Sequence, residues 1–202
     1  MKFTTLKDQS FVVDVHRDWS PTGADRFYNM IKSGFFTGTR FYRVSPGFVV
    51  QFGVSPDPKI TQAWANATIK DDPVKEHNTK GKLTFAKSGA PDSRTTQLFV
   101  NLKDNSMLDN MGFAPVGEVL EGMDVVEALY SGYGEIKEQG GGGPAQMKVM
   151  EEGEKYLKAN FDSLDTIKSA TVIFPVAAPP AAPVRRAVPP IQKAPGATKA
   201  TK

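Results

Sequence analysis

Histidine and cysteine, the side chains that most often carry nucleophilic and metal chemistry, are nearly absent from this chain. There is no cysteine, and the two histidines are His16 and His77. A disulfide framework, a thiol nucleophile and a thiolate zinc site are excluded. A Ser-His-Asp triad would have to recruit one of those two histidines, and neither has an obvious nucleophile beside it. The glycine run 140–143 lacks the Gly-Lys-Ser/Thr ending of a phosphate loop and reads as a flexible loop; no Gly-x-Ser-x-Gly elbow occurs. Asp71 and Asp72 are adjacent carboxylates, which do not face each other on a strand, so a solvated loop is their expected setting. Asn66-Ala67-Thr68 fits a glycosylation sequon, which matters only on a secretory route.

One segment keeps a chemical possibility open. Residues 41–53 read Phe-Tyr-Arg-Val-Ser-Pro-Gly-Phe-Val-Val-Gln-Phe-Gly. Two short strands, 40–44 and 47–53, would flank a turn at Ser45-Pro46. Strand alternation then puts Arg43, and separately Val49 with Gln51, on common faces. A guanidinium and an amide would share a surface with apolar groups, which suits hydrogen-bond donation in a partly dry hollow. On spacing alone, a surface arginine on an edge strand is the simpler alternative.

These residues need a scaffold, and the composition can supply one. The chain has 202 residues, 40% of them hydrophobic and 23% charged, which suits one globular domain with an appendage. Strands are expected at 10–15, 83–86, 97–101, 115–120 and 170–176, besides the pair around residue 45. Ser20 before Pro21 signals a helix start, Phe27, Met30 and Ile31 recur at helical spacing, and Gly34 is placed to end that helix. A short helix is expected at 123–130. A long one is expected at 145–161, with Met147, Met150, Leu157 and Phe161 on one stripe. Residues 54–80 carry no sustained period and read mostly as loop. Many short strands with few helices, and no regular βαβ alternation, indicate a mostly β fold: an antiparallel sheet or barrel with helices packed outside.

Two units follow: a folded body over 1–174 and a Pro/Ala-rich basic tail over 175–202. The tail holds 7 of the 15 prolines, no aromatic residue, and five basic residues, Arg185, Arg186, Lys193, Lys199 and Lys202, with no acidic one. Such a segment has too little apolar bulk to bury and is expected to be extended and disordered, or to act as a docking arm for an acidic or groove-bearing protein partner. Without it the body carries 20 basic against 22 acidic residues, so the basic balance says little about the body and a basic-domain case for nucleic acid fails. No apolar run reaches the length of a membrane span, and no signal peptide is visible. The expected setting is cytoplasmic, or an organellar lumen or matrix.

Three collinear blocks carry a resemblance. The first is 41–53, quoted above. The second is Ser93-Arg94-Thr95-Thr96-Gln97-Leu98-Phe99-Val100-Asn101. The third runs from Met107-Leu108-Asp109 through Gly112-Phe113-Ala114-Pro115-Val116-Gly117-Glu118-Val119 to Glu121-Gly122-Met123-Asp124-Val125-Val126. In order and spacing they resemble the cyclophilin family of peptidyl-prolyl cis-trans isomerases, over about residues 10–174. Gly23-Ala24-Asp25-Arg26-Phe27-Tyr28 and Ser131-Gly132-Tyr133-Gly134 look most like bacterial-type members. The resemblance implies a closed eight-stranded antiparallel barrel capped by two α-helices, with substrate in a groove on the outer wall. It places Arg43 at the catalytic arginine, with Phe48 and Gln51 beside it. Val49, Ala86, Lys87, Gln97, Phe99, Met107, Leu108 and Phe113 fall at substrate-binding positions. It also implies no cofactor, no metal, proline-containing polypeptides as partners, and a monomer unless the chain belongs to an assembly.

Three positions depart from the best-known members. Val49 stands where many have methionine, Met107 where some have tryptophan and many bacterial members phenylalanine, and Phe113 where many have histidine. The lost indole donor counts against tight cyclosporin binding. Isomerisation makes and cuts no bond, so it needs no nucleophile and is consistent with the poverty in Cys and His. The expected function is therefore acceleration of rotation about X-Pro bonds, assisting folding. The alternative is a proline-segment binding or assembly subunit with weak or dispensable catalysis.

Overall fold

The computed structural model describes residues 1–174; the expected tail over 175–202 lies outside the described residues. Eight strands form one sheet: β1 Lys2–Thr5, β2 Ser10–Val15, β3 Arg43–Ser45, β4 Val49–Phe52, β5 Lys82–Phe85, β6 Leu98–Asn101, β7 Pro115–Glu121 and β8 Ile167–Thr171. Their order is β3-β4-β6-β5-β7-β2-β1-β8, and every neighbouring pair is antiparallel.

The eight antiparallel strands curl round into a barrel-like sheet, as expected, and its two ends meet at one seam. The edge strands β3 and β8 share no ladder. The chain segments just before them meet in a single bridge, Arg40 with Thr166, flanked by bonds from Phe41 N–H to Asp165 C=O and from Ile167 N–H to Thr39 C=O. Residues 40–42, expected to be strand, serve this seam instead.

The N-terminal strand β1 precedes the first strand expected from the sequence, 10–15. Only Phe3 and Thr5 of it face the core, a pattern too short to register as a period. What secures it is pairing. Phe3 lies opposite Phe11 with the two rings stacked 5.0 Å apart, and the terminal ammonium donates to Val13 C=O. At the other end β8 begins three residues before the expected 170–176, because Ile167 is the buried residue while Ile173 and Phe174 are exposed. The last two residues of that expectation lie outside the described residues.

Helix α1, Pro21–Lys32, matches expectation, with Phe27, Met30 and Ile31 buried. Its cap differs. Ser20 occupies the cap position but turns its hydroxyl to Asp72 at 2.5 Å, and the Asp72 carboxylate takes the N–H groups of Thr22 and Gly23. Asp72 is buried and ion-paired at 3.0 Å with Arg94, itself 1% exposed, so the solvated-loop expectation fails for Asp72. Burial alone would raise this carboxyl. The hydrogen bonds from Ser20, Gly23 and Thr22 outweigh that and hold it down at about 2.

The long loop hides a helix, α2, Pro58–Ala65, started by Asp57, whose side chain accepts from Lys59 N–H. Only Thr61 of it is fully buried, which is why no apolar period announced it. Helix α3 covers Met123–Glu127. The expected long helix at 145–161 is two, α4 Gln146–Glu152 and α5 Glu154–Asn160. Gly153 breaks them at φ 58°, where any Cβ would collide with the Pro56 carbonyl oxygen. The expected stripe splits accordingly: Leu157 and Phe161 are buried, whereas Met147 is exposed.

The strands sort their residues between two sides. Val50, Phe52, Leu98 and Val100 join the main core with Phe3, Phe11 and Phe27. Their sequence neighbours Val49 and Phe99 point the other way and form a small separate cluster with Leu108, edged by Phe48, Ala86 and Phe113. An apolar hollow on the outer wall is therefore a direct product of the period-two alternation.

Candidate active site

The β3–β4 register sets Arg43 directly opposite Gln51, and the β4–β6 register sets Gln51 opposite Phe99. One row across three strands thus carries a guanidinium, an amide and a ring. Arg43 Nη1 donates to Gln51 Oε1 at 2.8 Å. Gln51 Nε2 donates on to Gln97 Oε1 at 3.0 Å, and that oxygen also accepts from the buried Tyr42 hydroxyl and from Gln146. The arginine carbon lies 5.4 Å from the Phe48 ring centre. Burial pushes the Tyr42 phenol far up, so it stays a protonated donor.

A second group holds Arg43 from the side. The Glu135 carboxylate meets it along the Nε–Nη2 edge, with Nε 2.5 Å from Oε1 and Nη2 donating to Oε2 at 2.9 Å. Burial by itself raises the Glu135 carboxyl. The hydrogen bonds from Arg43 and from the Ile136 N–H outweigh it, so Glu135 lies below the ordinary glutamate value and is ionised at neutral pH.

Arg43, Gln51, Gln97 and Gln146 face a groove of 560 Å³. Of the residues expected at the site, Arg43, Phe48, Gln51, Ala86, Lys87, Gln97, Phe99, Leu108 and Phe113 line it together. Phe99 and Phe113 meet edge to face at 5.8 Å. Val49 lies beneath the wall, 2% exposed, packed with Phe99 and Leu108. The Lys87 ammonium is tied to Asp71 at 2.8 Å.

Met107 does not line the groove, whereas Met111, though as exposed as Met107, lies along its wall. The cause is the local helix type. Residues Ser106–Met111 form a 3-10 turn ended by Gly112 at φ 78°. In such a turn positions three apart share a face, so Leu108 and Met111 point the same way and Met107 another.

Sequence reasoning missed Glu135, Tyr42, Gln146 and Met150. Tyr42 stood within the first block without a role. Glu135 follows Gly132-Tyr133-Gly134 with no spacing that ties it to Arg43, 92 residues away. Gln146 and Met150 reach the groove only because α4 packs on α2. Among the described residues no group of three His, Asp or Glu side chains could hold a metal, and no helix is long and apolar enough to cross a membrane.

The arrangement is an apolar, aromatic hollow with a fixed guanidinium at its rim. Comparison with known proteins gives it a lineage. The family model for "cyclophilin type peptidyl-prolyl cis-trans isomerase/CLD" matches residues 1–152. The chain belongs to the cyclophilin family. Over 122 residues it is 35% identical to a peptidyl-prolyl cis-trans isomerase of Acinetobacter baylyi, covering 58% of this chain and 64% of that protein. It is 36% identical over 116 residues to peptidyl-prolyl cis-trans isomerase A of Dickeya dadantii, covering 54% and 60%. With isomerase B of Escherichia coli the identity is 32% over 126 residues, covering 58% and 76%. The chain thus spans about three fifths of the length of the first two of these curated relatives.

Two solved structures share the cyclophilin fold. One is a cyclophilin of Hirschia baltica, at a TM-score of 0.55 and 18% identity, covering 64% of this chain and 66% of that one. The other is a cyclophilin-type isomerase of Cryptosporidium parvum, at a TM-score of 0.61 and 17% identity, covering 86% and 98%; it was solved in the presence of the dipeptide Ala-Pro.

Proposed function

We propose that this cyclophilin is an active, cofactor-free prolyl isomerase that accelerates rotation about exposed X-Pro bonds in polypeptides. The observation that carries this reading is Arg43 at the rim of the hollow made by Phe48, Phe99, Leu108 and Phe113.

Rotation about a prolyl bond is slow because amide resonance must be broken, a barrier of about 18–20 kcal/mol. In the twisted state the prolyl nitrogen regains a lone pair. A charge-assisted hydrogen bond to it is worth roughly 1.5–3 kcal/mol, and an apolar surrounding strengthens it by excluding water. An acceleration of about a thousandfold needs only about 4 kcal/mol of such selective stabilisation. Arg43 supplies the donor, the aromatic hollow grips the proline ring, and Gln51 positions the rotating carbonyl. Val49 backs the hollow from beneath. Ala86, Lys87 and Gln97 serve the chain flanking the proline.

A protease-free peptide isomerisation assay tests the reading. Parent protein accelerates exchange. Arg43→Ala loses nearly all of the acceleration, and Arg43→Lys loses about a hundredfold because a point charge cannot replace the planar fork. Arg43→Ala protein as fast as the parent would remove the mechanism.

A further inference from the structure

The glycine-rich loop left without a role in the sequence folds against the backbone of Glu135. Gly143 N–H donates to the Glu135 carbonyl at 2.8 Å, and Gly141 N–H donates to the Ile136 carbonyl at 3.0 Å. A Cβ at Gly141 would collide with the Glu135 carbonyl group, and one at Gly143 would crowd it. Glu135 Oε1 also accepts from the N–H of Ile136, whose side chain is 2% exposed. The loop thus holds the Glu135 backbone, and the Ile136 N–H holds one oxygen of its carboxylate.

The consequence lies in the donor count. A guanidinium has five N–H donors in one plane. Glu135 faces the Nε–H and takes one on Nη2, and Gln51 takes one on Nη1. One N–H on each terminal nitrogen is taken by neither Glu135 nor Gln51.

We propose that Glu135 is a positioning residue for the isomerisation: it locks the Arg43 guanidinium in the one rotation that turns its two free N–H groups to the substrate. This rests on the isomerase reading. Glu135 touches no reacting atom; it acts through Arg43. The glycines at 141 and 143 are present because only a residue without Cβ lets the loop clasp Glu135 so closely.

The test uses the full chain with Glu135→Gln, Glu135→Asp, Gly141→Ala and the double variant Glu135→Gln/Gly141→Ala. Glu135→Gln is expected to lower kcat about tenfold with KM within about twofold of the parent, since a misaimed donor weakens the transition state rather than peptide binding. Glu135→Asp recovers part of the loss. Gly141→Ala lowers kcat in the same way, and the double variant is no slower than the slower single one, because both changes act on one group. A nitrogen-edited NMR spectrum of the guanidinium groups reads the lock without turnover: the Arg43 Nη signals are resolved in the parent and averaged by free rotation in Glu135→Gln. A faster Glu135→Gln enzyme would make the carboxylate a latch that withholds Arg43, and would overturn the proposal. So would a rise in KM matching the fall in kcat, or averaged Nη signals in the parent. If the parent shows no acceleration while its Nη signals are resolved, the isomerase reading fails and the lock stands as a structural fact alone.

Discussion

The Tyr42 hydroxyl, buried with its ring at 1% exposure, donates to Gln97 Oε1 at 2.5 Å, and the same oxygen receives Gln51 Nε2 at 3.0 Å. Tyr42 lies on the second apolar cluster, with Val54 and Ile136, and so reaches the groove from behind. It anchors the amide chain that ends on Arg43. Tyr42→Phe removes one neutral hydrogen bond, worth about 0.5–1.5 kcal/mol, and leaves the ring's packing intact. The expected outcome is a fall in kcat/KM of about threefold to tenfold, measured by the peptide assay, with an unchanged far-UV circular dichroism spectrum.

The two methionines of the 3-10 turn should separate cleanly. Met111→Ala removes a wall of the groove and is expected to raise KM for a proline peptide severalfold. Met107→Ala strips an exposed side chain and should leave both kcat and KM within about twofold, as surface changes generally do. Peptide titrations of the two variants side by side give the comparison. A Met107→Ala effect as large as that of Met111→Ala would put the turn in a different rotation.

The Asp72 carboxyl gives the fold an acid limit. Its value in the folded chain is about 2, against an ordinary 3.8. A group depressed on folding contributes stability that is fully present above its unfolded value and is lost as pH falls through its folded value. The contribution from Asp72 is therefore complete above about pH 4 and fades between about pH 4 and pH 2. Asp72→Asn removes that contribution and leaves Arg94, 1% exposed, without its closest carboxylate. We expect a loss of roughly 3 kcal/mol at neutral pH and a flatter acid limb, read from thermal melts between pH 2 and pH 7. A variant melting at the parent's temperature at pH 7 would show that the buried pair contributes nothing net.

Most of the strands were legible because each is an alternating or apolar run bounded by turn residues, as 10–15 and 97–101 are. The short outer-wall cluster was legible only through family resemblance. Val49, Phe99 and Leu108 look like ordinary core residues, and their spacing does not say which side of the sheet they face. Helix α2 escaped because a single buried residue leaves no period, although Asp57-Pro58 is the same kind of start signal as Ser20-Pro21. The Gly153 break escaped because a glycine inside an apolar helical stripe is usually tolerated, and the approach of the Pro56 backbone that requires it comes from far along the chain.

By itself the amino-acid sequence determined a cysteine-free, mostly β fold, its first helix, and the two short strands around residue 45 that carry Arg43 and Gln51. Local chemistry decides these: side-chain alternation, proline and glycine at turns, and a short hairpin. The tertiary structure alone decided which charges are spent on each other. Glu135 on Arg43 and Asp72 on Arg94 and α1 are pairings across 92, 22 and about 50 residues of chain, and no periodicity spans such distances. It also decided that Met111, not Met107, faces the groove, because the tight winding of one 3-10 turn, rather than the order of residues along it, sets where each side chain points.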